Sequence, residues 1–359
     1  MKKMRILCVS VLALGLAFIA TSCKKDKQTT QFTVSTCALE EDDDTRVYLD
    51  FGDRNRMKWS ANDAIMIYNL VPDDGEAAIV QEFHTDEAAE GQVTANFYGP
   101  SVGAPQSEAG YFFFYPAEMT TATVNADNCA TFTVGDTQNY TELKNSKGYR
   151  ITTIQPGTMA QATQSSNLNF TMQNLFGIAR IYMTGNATVT KVELIDSHLA
   201  LTGSAEVCLP NVDAAVLQTY VNDYKQGNIS YLDCYQYAVN ELLYMPHPTG
   251  NMVTMNCAYT YEGESFEGVQ LTNPDAKSFM FCLRPGALSQ GFTVKVYFDD
   301  HTGRIIDMYA NTDNLENPRK YCIVPGRIQA IKFLDADGFF IDVDGVDANG
   351  NPIFETFNW

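Results

Sequence analysis

The sequence predicts an all-β protein arranged as two β-sandwiches. Many short stretches alternate apolar and polar residues, as residues 292–298 do, and this period of two is typical of strands with one buried face. Turn signals separate such stretches about every 8–12 residues, a spacing typical of sandwiches. The chain has 359 residues, of which 45% are apolar, and this is enough for two hydrophobic cores.

The N-terminus has the order of an export signal. A basic start precedes an apolar run over 6–19, and small residues come directly before Cys23. The run is too short to span a bilayer as a helix, which takes roughly 20 residues. We therefore expect a signal peptide over 1–22 and a lipid on Cys23. The alternative is an ordinary cleaved signal without lipidation.

The rest of the chain is expected to divide into four parts. A Gln/Ser/Thr-rich passage over 155–167 marks the best boundary between two sandwiches. The acidic run over 40–44 is interpreted as a solvated linker, and Phe32 and Val34 ahead of it alternate with polar residues as a strand does. The predicted parts are a leader over 23–46, an N-terminal sandwich over 47–165, a C-terminal sandwich over 166–335 and a hairpin over 336–359.

Local patterns give further expectations within these parts. Trp59 and the aromatic run over 111–115 are predicted to be core, the run as a strand covered on both faces. The alternative for Trp59 is an exposed sugar-stacking ring, and the alternative for the run is a ligand platform. A single amphipathic helix is expected over 213–226, with Gly227 ending it.

The last residues predict an extended hairpin. An Asn-Gly step at 349–350 is a strong turn signal, and Ile353, Phe357 and Trp359 fall on one face of the returning strand. The turn is rich in side-chain oxygens, which hints at calcium. However, Pro352 stands where a calcium loop of the EF type needs glycine, and its final glutamate is missing. We predict a polar turn and no metal site.

No motif predicts catalysis or a cofactor. The four histidines are scattered, and nucleophile-elbow, phosphate-loop and dinucleotide motifs are missing from the sequence. The net charge of −19 disfavours nucleic acid, whose phosphates need basic partners. Apart from Cys8 and Cys23 there are seven cysteines without a C-x-x-C pair, so we expect mostly buried thiols. One or two disulfides stay possible, and the sequence cannot choose them.

Four stretches together resemble the fimbrillin family, the subunits of type V pili and related exported lipoproteins. Each is weak alone, but their order and spacing over about residues 45–335 are fairly specific. They are Trp-Ser-Ala-Asn-Asp-Ala-Ile-Met-Ile-Tyr at 59–68, Phe-Phe-Phe-Tyr-Pro at 112–116, Asn-Phe-Thr-Met-Gln-Asn-Leu-Phe-Gly-Ile-Ala-Arg-Ile at 169–181, and Leu-Arg-Pro-Gly at 283–286 with Gly-Phe-Thr-Val at 291–294.

The resemblance implies two transthyretin-like β-sandwiches and a structural role, as stalk or tip, in a cell-surface fimbria that supports adhesion. It also implies export as a lipoprotein to the outer membrane and trimming by an Arg-specific protease. Arg46 is the matching position, so that Val47 would become the N-terminus and the strand around Phe32 would be lost. Arg54 and Arg56 are poorer candidates. Alternatively, Arg46 is an ordinary surface residue.

Removing an N-terminal strand leaves unpaired backbone groups that another strand can fill. We expect the C-terminal hairpin to be the donor, with Ile353, Phe357 and Trp359 inserting, or else to cap its own domain. Expected partners are other fimbrial subunits, the outer membrane through the lipid, and a host protein or glycan. The alternative function is an anchored surface lipoprotein of the same fold that binds glycans or anchors the fimbria.

Overall fold

The structure is a computed structural model, and it describes residues 30–36, 40–41, 57–69, 72, 77–105, 110–124, 129–144, 150–155, 157–197, 201–208, 244–261, 264–288, 291–309, 321, 323–332 and 342–359, with isolated positions between 219 and 233. The signal peptide, Cys23, Arg46 and Val47 lie outside the described residues. Within the described ranges, no helix combines the length and apolar character needed to cross a membrane.

Strands make up most of the described residues, which confirms the all-β class. In chain order they are β1 (Thr30–Ser35), β2 (Glu40–Glu41), β3 (Ala64–Asn69), β4 (Ile79–His84), β5 (Thr94–Gly99), β6 (Tyr111–Tyr115), β7 (Thr120–Val124), β8 (Cys129–Val134), β9 (Thr137–Asn139), β10 (Thr141–Lys144), β11 (Arg150–Thr153), β12 (Gln161–Ser165), β13 (Asn169–Thr171), β14 (Gln173–Asn174), β15 (Gly177–Met183), β16 (Thr188–Asp196), β17 (Thr202–Cys208), β18 (Tyr244–Gly250), β19 (Met252–Asn256), β20 (Ala258–Tyr261), β21 (Glu264–Glu267), β22 (Val269–Gln270), β23 (Lys277–Leu283), β24 (Gly291–Phe298), β25 (Thr302–Tyr309), β26 (Arg327–Lys332) and β27 (Glu355–Asn358). Short 3₁₀ turns occupy Glu87–Ala89 and Ala117–Met119.

The helix expected over 213–226 is helical at the positions described there, namely 219–220, 222–223 and 226. Gly227 follows with a φ of +80°, a backbone conformation that glycine adopts without steric cost. The amide of Asn228 donates to the carbonyl of Asp223 at 2.8 Å, which is the pairing of a Schellman C-cap. Gly227 therefore ends this helical stretch as the sequence predicts.

The first sheet has the order β13-β1-β5-β4-β3-β6-β12-β14 among the described strands. Its first and last members, β13 and β14, are consecutive pieces of one short segment. This segment bonds β1 on one side and β12 on the other, so it closes the sheet on itself. One core cluster is enclosed by the sheet, with Phe32, Trp59, Phe83, Phe97 and Phe113 among its members.

The second half of the chain forms a sandwich of two sheets. One follows β27-β25-β24-β16-β19-β9, with β22 also on β16, and the other follows β2-β26-β15-β23. Side chains from both sheets, such as Val294 from β24 and Phe279 from β23, form a shared core cluster. The acidic run over 40–44 thus differs from a plain linker, because its first two residues form β2 and pair with β26.

A further sheet, β18-β17-β8-β7, joins strands from before and after position 165. Its inner face packs on the outer face of β3 and β6 in a third core cluster. In addition, β9 pairs with β19 of the second sandwich. The strand pairing therefore crosses the expected boundary at 165 in five strand pairs, because β1–β13, β2–β26 and β12–β14 also join residues on either side of it. The sequential division of the chain stays a prediction.

Burial on both faces explains the continuous apolar runs of β3 and β6. Ile65 and Ile67 point into the cluster that the first sheet encloses, whereas Met66 and Tyr68 point into the outer cluster. All five residues of β6 are buried, which confirms the predicted strand covered on both faces.

Candidate functional site

The N-terminal strand β1 lies inside the first sheet and not at an edge. It pairs antiparallel with β5 over six residues, from Thr30 opposite Gly99 to Ser35 opposite Thr94. On its other side it runs parallel to β13. Because both backbone edges of β1 are paired, its loss would leave unpaired groups on two neighbouring strands.

The inward face of β1 is fully buried. The side chains of Phe32 and Val34 have 0% exposure. Edge-to-face contacts surround the Phe32 ring, at centroid distances of 5.4 Å to Phe83, 5.2 Å to Tyr111 and 5.2 Å to Phe113. This geometry is favourable for aromatic pairs and adds to the area that burial removes from water. Phe32 is thus the main apolar anchor of the strand.

Trp59 ties β1 to the core of the first sheet. Its indole Nε1 donates to the carbonyl of Val34 at 3.1 Å, and its ring meets Phe97 and Tyr115 edge-to-face. Trp59 is only 2% exposed, which confirms the predicted core role. An exposed sugar-stacking role is contradicted for this residue, because the ring has no face open to a ligand.

The outward face of β1 is polar and hydrogen-bonded to β5. The Thr33 hydroxyl donates to Asn96 Oδ1 at 2.9 Å, and the hydroxyls of Ser35 and Thr94 are 2.8 Å apart. The slot that β1 fills therefore selects a strand with apolar residues at two alternate positions and polar residues between them.

The C-terminal strand β27 occupies a different position, at the end of its sheet. It pairs antiparallel with β25, with Phe357 opposite Gly303. The Phe357 ring fills the space above that glycine, where a Cβ would collide with the ring. Both Phe357 and Trp359 contact the Tyr297 ring edge-to-face, at 5.0 Å and 5.5 Å.

Trp359 and Ile353 are largely exposed on this edge, at 51% and 45%. Two hydrogen bonds nevertheless hold the chain end: the Trp359 amide donates to the carbonyl of His301 at 3.0 Å, and its indole Nε1 donates to the carbonyl of Thr302 at 3.1 Å. The expected hairpin differs in its pairing, since Val346 and Pro352 share an isolated bridge while the returning strand joins β25 instead. The returning strand thus covers the edge of β25 that β24 does not pair with, and Phe357 packs on the Tyr297 ring.

The Tyr297 ring is the surface on which Phe357 and Trp359 pack. Its hydroxyl donates to Glu193 Oε2 at 2.6 Å, and Lys191 Nζ lies 2.8 Å from Glu193 Oε1 and 3.8 Å from the ring centroid. Burial, followed by the bond to the Glu193 carboxylate, raises the pKa of Tyr297 above its ordinary range. The phenol therefore stays neutral and hydrogen-bonded under β27.

The oxygen-rich turn before β27 uses its side chains to bond its own backbone. Asp347 Oδ1 accepts from the amides of Asn349 at 2.8 Å and Asn351 at 2.9 Å. These bonds, with those from Asn351 foremost, hold the pKa of Asp347 below its ordinary value. In the part of the chain that the structure describes, no three His, Cys, Asp or Glu side chains are grouped to hold a metal ion.

Two of the cysteines are described with their side chains, and both are buried free thiols. They are Cys257 and Cys282, and burial raises the pKa of each thiol. The prediction of small buried apolar cysteines is confirmed for these two.

Comparisons with known proteins give matches among solved structures only. No family model matches the chain, and no curated protein matches it. Among solved structures, the chain is similar to a candidate cell adhesion protein from Bacteroides ovatus, at 10% identity and a TM-score of 0.44, covering 92% of this chain and 98% of that one. A candidate cell adhesion protein from Bacteroides uniformis gives 12% identity, a TM-score of 0.40 and coverage of 92% and 98%. The tip fimbrial protein Mfa3 from Porphyromonas gingivalis gives 8% identity, a TM-score of 0.31 and coverage of 92% and 100%.

Proposed function

We propose that this chain is a structural subunit, stalk or tip, of a cell-surface fimbria, and that it polymerises by strand exchange. In this proposal the chain is exported as a lipoprotein through Cys23. An Arg-specific protease then cuts after Arg46 and releases the leader, including β1. The observation that supports it best is the position of β1 between β5 and β13, with Phe32 and Val34 fully buried.

The vacated slot would bind a strand of defined character. Loss of β1 uncovers the aromatic rings around Phe32 and leaves the Trp59 indole without its acceptor. Unpaired buried polar groups cost about 1–3 kcal/mol each, so the slot favours refilling. A strand from the next subunit can fill it, and such head-to-tail contacts build filaments instead of closed pairs.

The C-terminal strand has the pattern that this slot selects. In β1 the order is Gln-Phe-Thr-Val over 31–34, and at the end of the chain it is Thr-Phe-Asn-Trp over 356–359. Each has a phenylalanine, then a polar residue, then a second apolar residue. Phe357 would take the place of Phe32, and Trp359 that of Val34, while Ile353 would insert four residues ahead of Phe357. The larger Trp359 requires the pocket of Val34 to widen.

Processing at Arg46 is tested with an Arg46→Ala variant and a matched Arg56→Ala control. We expect surface-extracted wild type and Arg56→Ala to begin at Val47 and to form ladders on gels when samples are not boiled. Arg46→Ala should remain a lipidated monomer with its leader. Ladders that persist in Arg46→Ala, with the leader still attached, would rule out strand exchange through this slot.

A peptide test addresses the slot directly. A synthetic peptide covering residues 30–36 should block the ladders of processed protein, because it refills the slot with its own strand. The matched control peptide carries serine in place of Phe32 and Val34 and should leave the ladders unchanged. Equal inhibition by both peptides, or by neither, would contradict the role of the two apolar anchors.

A second candidate is an anchored lipoprotein of the same fold that keeps its leader, as a fimbrial anchor or a glycan-binding surface protein. The observation in its favour is that both terminal strands are satisfied within the chain, β1 by β5 and β13, and β27 by β25. An acylated Cys23 on the surface protein would favour this candidate, and Val47 as N-terminus would favour the polymer.

A further inference from the structure

We propose that Cys129 and Cys208 form a disulfide in the exported protein. The two residues are direct partners across the antiparallel pair of β8 and β17. The register that places them there is continuous over six residue pairs, from Gly203 opposite Val134 to Cys208 opposite Cys129. The backbone therefore selects one pairing that the spacing of cysteines in the sequence cannot.

The distance between directly opposed residues suits this bond. Opposed Cα atoms in an antiparallel pair are about 4.5 Å or about 5.5 Å apart, depending on the hydrogen-bond pattern. Disulfides are found at Cα separations of roughly 4.4–6.8 Å, so either kind of pair is compatible. The register of β8 on β17 is therefore compatible with the bond.

Burial alternates along both strands at the positions whose side chains the structure describes. Ala130 and Phe132 of β8 are buried, as are Ala205 and Val207 of β17. The intervening positions are more open, with Thr131, Ser204 and Glu206 half-buried and Thr133 exposed. Positions 129 and 208 belong to this second series by the alternation of residue numbers.

The remaining described cysteines give a contrast. Cys257 and Cys282 are buried free thiols with raised pKa values, so they are poor nucleophiles for disulfide exchange. Cys37, Cys234 and Cys322 lie outside the described residues. The proposal thus names one pair and predicts two permanent thiols.

The oxidation needs an electron acceptor, which is a disulfide-bearing thiol oxidase of the export compartment. The thiolate of one cysteine attacks the oxidase disulfide and forms a mixed disulfide, and the second thiolate displaces the oxidase. Two thiols lose two protons and two electrons, and the oxidase leaves as a dithiol. This rests on the export part of the proposed function and not on polymerisation.

The bond would join parts of the chain that the sequence separates. Strand β8 precedes position 165 and β17 follows it, and both belong to the sheet that packs on β3 and β6. Closing a loop from 129 to 208 restricts the unfolded chain strongly, which is the main way a disulfide stabilises a fold.

Peptide mapping of the exported protein tests the pairing. Free thiols are blocked with N-ethylmaleimide in denaturant, and the protein is digested without reductant. We expect one linked peptide pair containing Cys129 and Cys208, with Cys257 and Cys282 blocked. Finding Cys129 and Cys208 both blocked, or either linked to another cysteine, overturns the proposal.

Thermal unfolding with matched variants gives an independent readout. Reductant should lower the Tm of the exported wild type by several degrees. Cys129→Ser and Cys208→Ser should each show that lower Tm without reductant and no further response to it, while Cys257→Ala should keep the response. If the wild type does not respond to reductant, the bond is missing, whatever the state of the gel ladders.

Discussion

The two terminal strands share a sequence pattern and differ in almost every structural respect. Both alternate a phenylalanine and a second apolar residue with polar ones. In β1 these side chains are fully buried and the backbone is paired on both sides. In β27 the strand lies at the end of its sheet and Trp359 is 51% exposed. Position in the sheet, and not local pattern, decides how strongly each strand is held.

This difference gives the two ends opposite roles in the proposed exchange. The strand to be removed is β1, and its loss would uncover buried side chains and unpaired backbone groups on both sides. The strand to be donated is the one whose release costs least, because edge strands keep one row of backbone groups unpaired already. Matched substitutions at equivalent positions in and around β1 and β27 test this difference in stability.

The largest effect is expected for Phe32→Ala in the unprocessed chain. Deleting a buried phenylalanine side chain costs roughly 3–5 kcal/mol, since a cavity remains among the rings. Phe357→Ala, its match in β27, should cost only about 1 kcal/mol, because it loses edge contacts to Tyr297 at a half-open site. Denaturant unfolding of the two variants measures the gap. Equal losses would mean that β27 is held as firmly as β1.

The next largest loss of stability is expected for Trp59→Phe. The substitution removes the indole donor to the Val34 carbonyl and part of a buried ring, and it should lower the free energy of unfolding by about 2 kcal/mol. Trp359→Phe removes an equivalent bond to the Thr302 carbonyl at an exposed site and should stay within about 0.5 kcal/mol. The control for folding is an unchanged far-ultraviolet circular dichroism spectrum.

The smallest expected effect is that of pH on stability, and its direction differs between the C-terminal turn with Asp347 and the first half of the chain with Asp63. The pKa of Asp347 is held below its ordinary value of 3.8 by backbone and side-chain bonds, so its contribution is present above pH 3.8 and is lost as pH falls through the folded pKa. Burial, as the largest cause, raises the pKa of Asp63 in the first half, so its protonated form favours the native state.

Carbon NMR titration of the two carboxyl groups should therefore give a midpoint below 3.8 for Asp347 and above it for Asp63. Asp347→Asn should also remove the acid response of the Asn351 amide, whereas Asp63→Asn should leave that response intact. Midpoints in the reverse order would contradict the hydrogen bonds of the C-terminal turn.

Strands with clear alternation could be predicted from the sequence. The expected strand over 292–298 matches β24, and the aromatic run matches β6. Burial of one face requires apolar residues at alternate positions, and burial of both faces requires a continuous apolar run. In contrast, β12 lies inside the passage interpreted as a boundary. Its Gln161 is buried and donates to Asn174 at 2.9 Å, and such a polar partner leaves no hydrophobic signal.

The partners of each strand could not be predicted. The sequence indicates that Phe32 and Val34 form a strand, but its neighbours β5 and β13 are distant in the chain. Likewise, the pairing of β8 with β17 follows from the way the sheets pack and has no local signature. Pairings between remote segments depend on the whole core, so alternation alone cannot choose them.

The closure of the first sheet by the segment over 169–174 has a consequence for timing. While β1 is present, the first sheet is closed on itself and its described strands leave no free edge for another chain. In the proposed exchange, loss of β1 would open the sheet and leave two free strand edges, on β5 and β13. In that exchange, an opened subunit would bind any peptide with the same apolar pattern, so cleavage would be safest at the growing end of the filament, where the donor strand of the next subunit is already close.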